Sequence, residues 1–134
     1  MIPDHLILKV NDLAESSAFY TTILGWTAEG PQGPFRVLRV SAEFTVQLAA
    51  WGTKGGEHLA FAMDRKEFDE VFGRIRQAGI RFGDSFHTVG EMNGPGEEVG
   101  ARGAGASLYF FDPNQHLLEI RFYEGAATAG LDRP

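Results

Sequence analysis

Two short apolar alternations, each headed by a histidine, set the frame of this chain. His5-Leu6-Ile7-Leu8-Lys9-Val10 is the first, and His58-Leu59-Ala60-Phe61-Ala62-Met63 follows fifty-three residues later. A period of two over so few residues predicts half-buried strands. In the first, Leu6, Leu8 and Val10 share one face, and His5, Ile7 and Lys9 share the other. In the second, Leu59, Phe61 and Met63 form the bulky face. His58 lies opposite them with Ala60 and Ala62, which leave room beside the ring.

The period then changes at matching points. Asp12 with Glu15, and Asp64 with Glu67, are acidic helix starts. Leu13, Phe19, Tyr20, Ile23 and Leu24 give the first helical stripe, and Phe68, Val71, Phe72 and Ile75 give the second. The runs end at Leu24-Gly25 and Ala78-Gly79, and Gly25 suits a C-terminal cap. The chain is therefore an internal repeat.

After each helix the pattern returns to strands. Trp26–Glu29, Phe35–Val40 and Phe44–Trp51 complete the first half, with Gly30–Pro34 as a turn and Gly52–Gly56 as the linker between copies. In the second half, Ile80–Phe86, Ser107–Phe111 and His116–Phe122 read as strands, the last two joined by the turn Asp112–Gln115. Between them, Thr88–Gly105 is rich in glycine and lacks apolar periodicity, which reads as a lid or a disordered loop. Each half is β-α-β-β-β. The expected fold class is α+β, with a first βαβββ module over residues 1–52 and a second over 57–124. Together they make one compact domain, and residues 125–134 form a flexible tail.

Composition narrows the function. The 134 residues carry a formal net charge of −6, against the basic footprint of a nucleic-acid binder. No apolar run is long enough to cross a bilayer and no signal-peptide pattern opens the chain, so a cytoplasmic protein is expected, with no membrane partner. Cysteine is absent, which excludes disulfides, thiolate ligands and a cysteine nucleophile.

The face opposite the helices holds the candidate chemistry. In the last strand of the first half, Val46 and Leu48 belong to the core face while Thr45, Gln47 and Ala49 point away. In the last strand of the second half, Leu118, Ile120 and Phe122 belong to the core face while Leu117, Glu119 and Arg121 point away. Each half thus offers two candidate ligands, His5 with Gln47 and His58 with Glu119. If the halves join edge to edge and curl, these faces line one cup. Imidazole and carboxylate donors suit one divalent ion, Zn, Ni, Co, Fe or Mn. A buried Glu119 needs a cation partner, either a metal or Arg121. Lys9, Arg39 and Arg121 on the same faces hint at an anionic substrate group. His116 follows a turn and reads as structural or exposed.

These residues resemble a known family, the vicinal oxygen chelate superfamily of glyoxalase I, bleomycin-resistance proteins and extradiol dioxygenases. The carriers are Asp4-His5-Leu6 through Asn11-Asp12-Leu13, Phe19-Tyr20 through Leu24-Gly25-Trp26, Glu57-His58-Leu59-Ala60-Phe61, and Tyr109 through Ile120. The last is the most specific, although the family usually has Gly where Gln115 stands. The resemblance implies the glyoxalase/bleomycin resistance/dioxygenase fold, in which paired modules form a curved mixed sheet. It implies His5, Gln47, His58 and Glu119 as metal ligands, and a small-molecule substrate. Ile7 stands where fosfomycin transferases have Thr.

Three functions stay open on this reading. The first is a metal-dependent lyase or isomerase acting on a small oxygenated, anionic substrate, with Glu119 released from the metal, or a metal-bound hydroxide, as catalytic base and Lys9, Arg39 and Arg121 as substrate-binding residues. The second is an extradiol ring-cleaving dioxygenase, with Tyr109 or His116 as second-sphere acid or base. The third is a non-catalytic binding protein of the bleomycin-resistance kind. Open sheet edges make a homodimer the expected assembly.

Overall fold

The computed structural model describes residues 1–124, so the tail expected from Gly125 lies outside the described residues. The chain divides into two compact units, with the boundary between Gly55 and Gly56.

The first unit contains β1 (His5–Lys9), α1 (Leu13–Phe19), β2 (Thr27–Gln32), β3 (Phe35–Arg39) and β4 (Thr45–Ala49). Its sheet runs β1-β4-β3-β2, with β1 parallel to β4 and the other pairs antiparallel. Asp12 starts α1 by accepting a hydrogen bond from the Glu15 N–H at 2.8 Å. The helix widens into a π-helical turn over Tyr20–Leu24 before Gly25 ends it at φ 76°. Thr21 Oγ1 donates to the Ser17 carbonyl at 2.9 Å inside that stretch, a back-bond of the kind that bends helices. Leu8, Val10, Tyr20, Leu38, Val46 and Leu48 form the core, and Tyr20 stacks on Trp26 at 4.7 Å.

The second unit contains β5 (His58–Ala62), α2 (Arg65–Gln77), β6 (Phe82–Gly83), β7 (Gly96–Gly100), β8 (Gly103–Phe111) and β9 (Leu117–Tyr123). Its sheet runs β5-β9-β8-β6, with β5 parallel to β9 and β7 pairing with β8. Asp64 caps α2 by accepting from the Glu67 N–H at 2.7 Å, and Arg74 and Arg76 in the last turn oppose the helix dipole. Phe68, Val71 and Ile75 pack the helix into the core that Phe110, Leu118 and Ile120 supply.

Three segments differ from the sequence expectation. β2 continues through Gly30, Pro31 and Gln32, leaving only Gly33-Pro34 as the turn. It lies at the end of the strand order with a register shift between Ala28 and Gly30, and such an edge tolerates proline. The strand expected over Ile80–Phe86 shortens to Phe82–Gly83, because the Ser85 N–H and hydroxyl turn back onto Thr88 Oγ1. Most of the expected lid is ordered differently: β7 pairs antiparallel with the first half of β8, from Gly96↔Ser107 to Gly100↔Gly103. Glycines in it and in β6 answer to close packing. A Cβ at Gly105 would overlap the Phe122 carbonyl oxygen, and one at Gly83 would overlap the Thr88 carbonyl.

Among the described residues no helix is long and apolar enough to cross a membrane.

Phe68 is fully buried and meets Phe72 and Phe122 edge-on. Phe68→Ala should lower the unfolding free energy in urea by ~3–5 kcal/mol, the range for emptying such a site. Asp64→Ala should cost about 1 kcal/mol through the lost cap. A Phe68→Ala loss no larger than that of the cap would contradict the packing described.

Candidate functional site

The parallel strand pairs place the candidate ligands. In the first unit His5 lies opposite Thr45, and Ile7 opposite Gln47. In the second unit His58 lies opposite Leu117, and Ala60 opposite Glu119. Gln47 and Glu119 therefore each stand two residues beyond the partner of the histidine, on the histidine's face. The offset is the same in both units.

In the second unit the two side chains meet. His58 Nε2 lies 3.1 Å from Glu119 Oε1, with 49% of the imidazole exposed and only 6% of the carboxylate. The other oxygen, Oε2, accepts from Arg121 Nη1 at 2.6 Å and from Ser107 Oγ at 3.3 Å. Arg121 Nη2 donates to the Glu98 carbonyl at 3.2 Å, and the guanidinium lies 4.7 Å over the Tyr123 ring. Tyr109 is buried, its ring 6.1 Å from that of His58, and its hydroxyl donates to Glu98 Oε2 at 2.8 Å. Burial, then the bond to Glu98, then the negative charge of Glu119, hold the Tyr109 phenol well above its ordinary pKa.

A metal can be tested against this geometry. Two donors bound at ~2.1 Å and at right angles lie about 3.0 Å apart. The His58–Glu119 separation fits that spacing, and both atom types suit a first-row divalent ion. The same contact serves as a hydrogen bond when no metal bridges it. Arg121 also provides charge compensation for Glu119 by itself, the alternative that the apolar setting of this carboxylate raised.

In the first unit His5 is exposed, and its Nδ1 pairs with Asp4 Oδ2 at 2.7 Å. With the proton on Nδ1, Nε2 carries the free lone pair, the arrangement common in metal-ligating histidines. Gln47 is half-buried, opposite Ile7 on β1 and Val37 on β3. Lys9 is exposed on the His5 face. Arg39 grips Glu29 through Nε at 2.7 Å and Nη2 at 3.2 Å, while its Nη1 donates to the carbonyls of Ser41 and Ala42. That grip lowers the Glu29 pKa. Arg39 and Arg121 are both committed to carboxylates of this chain.

Among the described residues no group of three or more His, Asp or Glu side chains converges as a metal cluster. The structure brings His58 to Glu119, and puts His5 and Gln47 on one sheet face. His116 is 1% exposed and has a turn-clamping role: its N–H donates to Asp112 Oδ1 at 2.8 Å, and its Nδ1 accepts from the Glu57 N–H at 3.3 Å. Gln115 in that turn adopts φ 70°, a left-handed conformation that glycine takes without strain. Sequence reasoning missed Asp4, Glu98 and Ser107. Asp4 had a signal, a carboxylate adjacent to a candidate ligand. Glu98 had none, because nothing in the glycine-rich segment predicted β7.

A family model described as the Glyoxalase/Bleomycin resistance protein/Dioxygenase superfamily matches residues 2–120. The chain is 31% identical over 130 residues to the virulence protein STM3117 of Salmonella typhimurium, covering 90% of this chain and 83% of that one. It is 27% identical over 135 residues to the glutathione transferase FosA of Serratia marcescens, covering 96% and 84%. Among solved structures, the oxidase ChaP-H1 superposes with a TM-score of 0.76 at 30% identity, covering 92% of this chain and 97% of that chain. The α+β fold with two mixed sheets is the one these comparisons share.

The raised Tyr109 pKa has a definite sign. The unfolded chain loses this proton at about pH 10, before the folded chain does, so stability should fall as pH rises past that point. In an alkaline absorbance titration, the ionisation missing from Tyr109→Phe should lie above the ordinary tyrosine value. A missing ionisation near pH 10 would contradict the burial and hydrogen bonding described.

Proposed function

This chain belongs to the glyoxalase/bleomycin resistance protein/dioxygenase superfamily, and on that premise we propose that it is a divalent-metal-dependent enzyme of lyase or isomerase type. Its substrate is small, oxygenated and anionic. One observation carries the reading: the His58–Glu119 pair sits at a chelating separation, and His5 and Gln47 repeat its strand register. FosA and ChaP-H1 are both named as enzymes, which supports catalysis over simple binding.

His5, Gln47, His58 and Glu119 are the proposed ligands. The ion, one of zinc, nickel, cobalt, iron or manganese, supplies Lewis-acid stabilisation of negative charge on substrate oxygens. The protein supplies the rest. Glu119 Oε1, once released from the ion, is the proposed base, taking a proton from the substrate while Arg121 and Ser107 hold Oε2 in place. Tyr109, kept protonated, is a hydrogen-bond donor rather than a base. Lys9, exposed on the His5 face, is the candidate for the substrate's anionic group. Burial of Glu119 beneath the exposed His58 leaves the imidazole side as the approach for substrate.

The likeness to an oxidase favours a second reading. There the same two histidines and Glu119 hold iron in an oxygen-using reaction, of which extradiol ring cleavage is one form. Homodimerisation is proposed with both readings, because β1 and β5 each end a strand order and unpaired strand edges are a liability.

Elemental analysis of protein purified without a metal-affinity tag should find about one equivalent of a divalent metal. His58→Ala should lose it, and Glu119→Gln should abolish turnover with the fold intact. Iron with catechol-dependent dioxygen uptake would select the second reading. No uptake of any added divalent ion by the wild type would overturn both.

A further inference from the structure

Glu119 presents its two oxygens very differently. Oε1 faces His58, whereas Oε2 lies within a cluster of donors that no candidate ligand belongs to. We infer that Arg121 is a positioning residue that occupies Oε2 and so restricts Glu119 to one metal-binding oxygen, Oε1. The inference rests on the metal reading above and assigns a task that reading leaves open.

Carboxylates bind divalent ions through one oxygen or two. A free Glu119 would have both available. Arg121 removes one of them with a short, charge-assisted bond at 2.6 Å between two side chains each less than a tenth exposed. Ser107 Oγ adds a second, longer bond to the same oxygen from β8.

The guanidinium is itself held on several sides. Nη2 donates to the Glu98 carbonyl on β7, and the Tyr123 ring lies beneath. β7 can approach this closely because residue 100 is glycine: a Cβ there would overlap the Arg121 guanidinium. Arg121 Nε is buried with no hydrogen-bond partner. Leaving such a donor unsatisfied is costly, so the side chain's position is dictated by what its two terminal nitrogens reach. The hairpin that reads as a lid in the sequence therefore serves as a clamp on Arg121. The chemical consequence is a weaker negative ligand. Paired with Arg121, Glu119 donates less charge to the ion, which keeps the ion a stronger Lewis acid.

Crystal structures of the cobalt(II)-loaded protein test this directly by counting Glu119 oxygens at bonding distance. The wild type should show one. Arg121→Met should show two, and Arg121→Lys, which restores a charged donor, should return to one. Gly100→Ala pushes the guanidinium off Oε2 without altering either partner, and should also show two if Arg121→Met does not fold. Two oxygens in the wild type would overturn the inference, as would one in a folded Arg121→Met. Failure of the wild type to take up cobalt would instead strike the metal reading, which separates the two.

Discussion

Everything else in each half of this chain depends on one parallel strand pair, β1 with β4 and β5 with β9. A parallel pair cannot be closed by a hairpin, so a crossover must run between its members, and α1 and α2 provide it. The pairing buries one face of the strands under the helix, through Leu8, Val46 and Leu48 in one unit and Phe68, Leu118 and Ile120 in the other. It also fixes what the opposite face displays. A slip of one residue would send Gln47 or Glu119 into the core and bring leucine or isoleucine out, so hydrophobic burial enforces the register of the chemistry.

The second constraint is the buried carboxylate. Glu119 sits near the middle of an apolar strand, where an unpaired charge would be strongly destabilising. Arg121, two residues along on the same face, meets that need, and β7 and β8 close over the pair. A buried ion pair of this kind is seldom there for stability alone, since hydrophobic residues of similar volume often serve as well. Its value lies in orientation: one oxygen is tied down and the other is aimed at His58. The proposed metal centre and the proposed role of Arg121 both follow from that asymmetry.

How much of this was legible in the sequence depends on whether side chains or backbone carried the signal. The histidine-headed strands were readable because each is half-buried and alternates cleanly. The helix starts were readable because Asp12 and Asp64 precede the apolar stripes, and both cap as expected. Arg121 was readable as a possible partner of Glu119, from proximity along one strand face. β7 was not, because it is held by backbone pairing to β8 and its Val99 stays exposed, so no apolar period marks it. The glycines of this stretch read as a lid or a disordered loop, whereas Gly100 in β7 and Gly105 in β8 allow close contact. With β7 hidden, Glu98 and its bonds to Tyr109 and Arg121 were hidden too.

The central proposal is that His58 and Glu119 hold a divalent ion. Proton–nitrogen NMR of the imidazoles during a zinc titration tests it most directly, since the chain has only four histidines. The His58 signals should shift and saturate at one equivalent, while those of the turn-clamping His116 stay where they are. A His58 signal that does not move, in a protein whose His116 signal shows it folded, would contradict it.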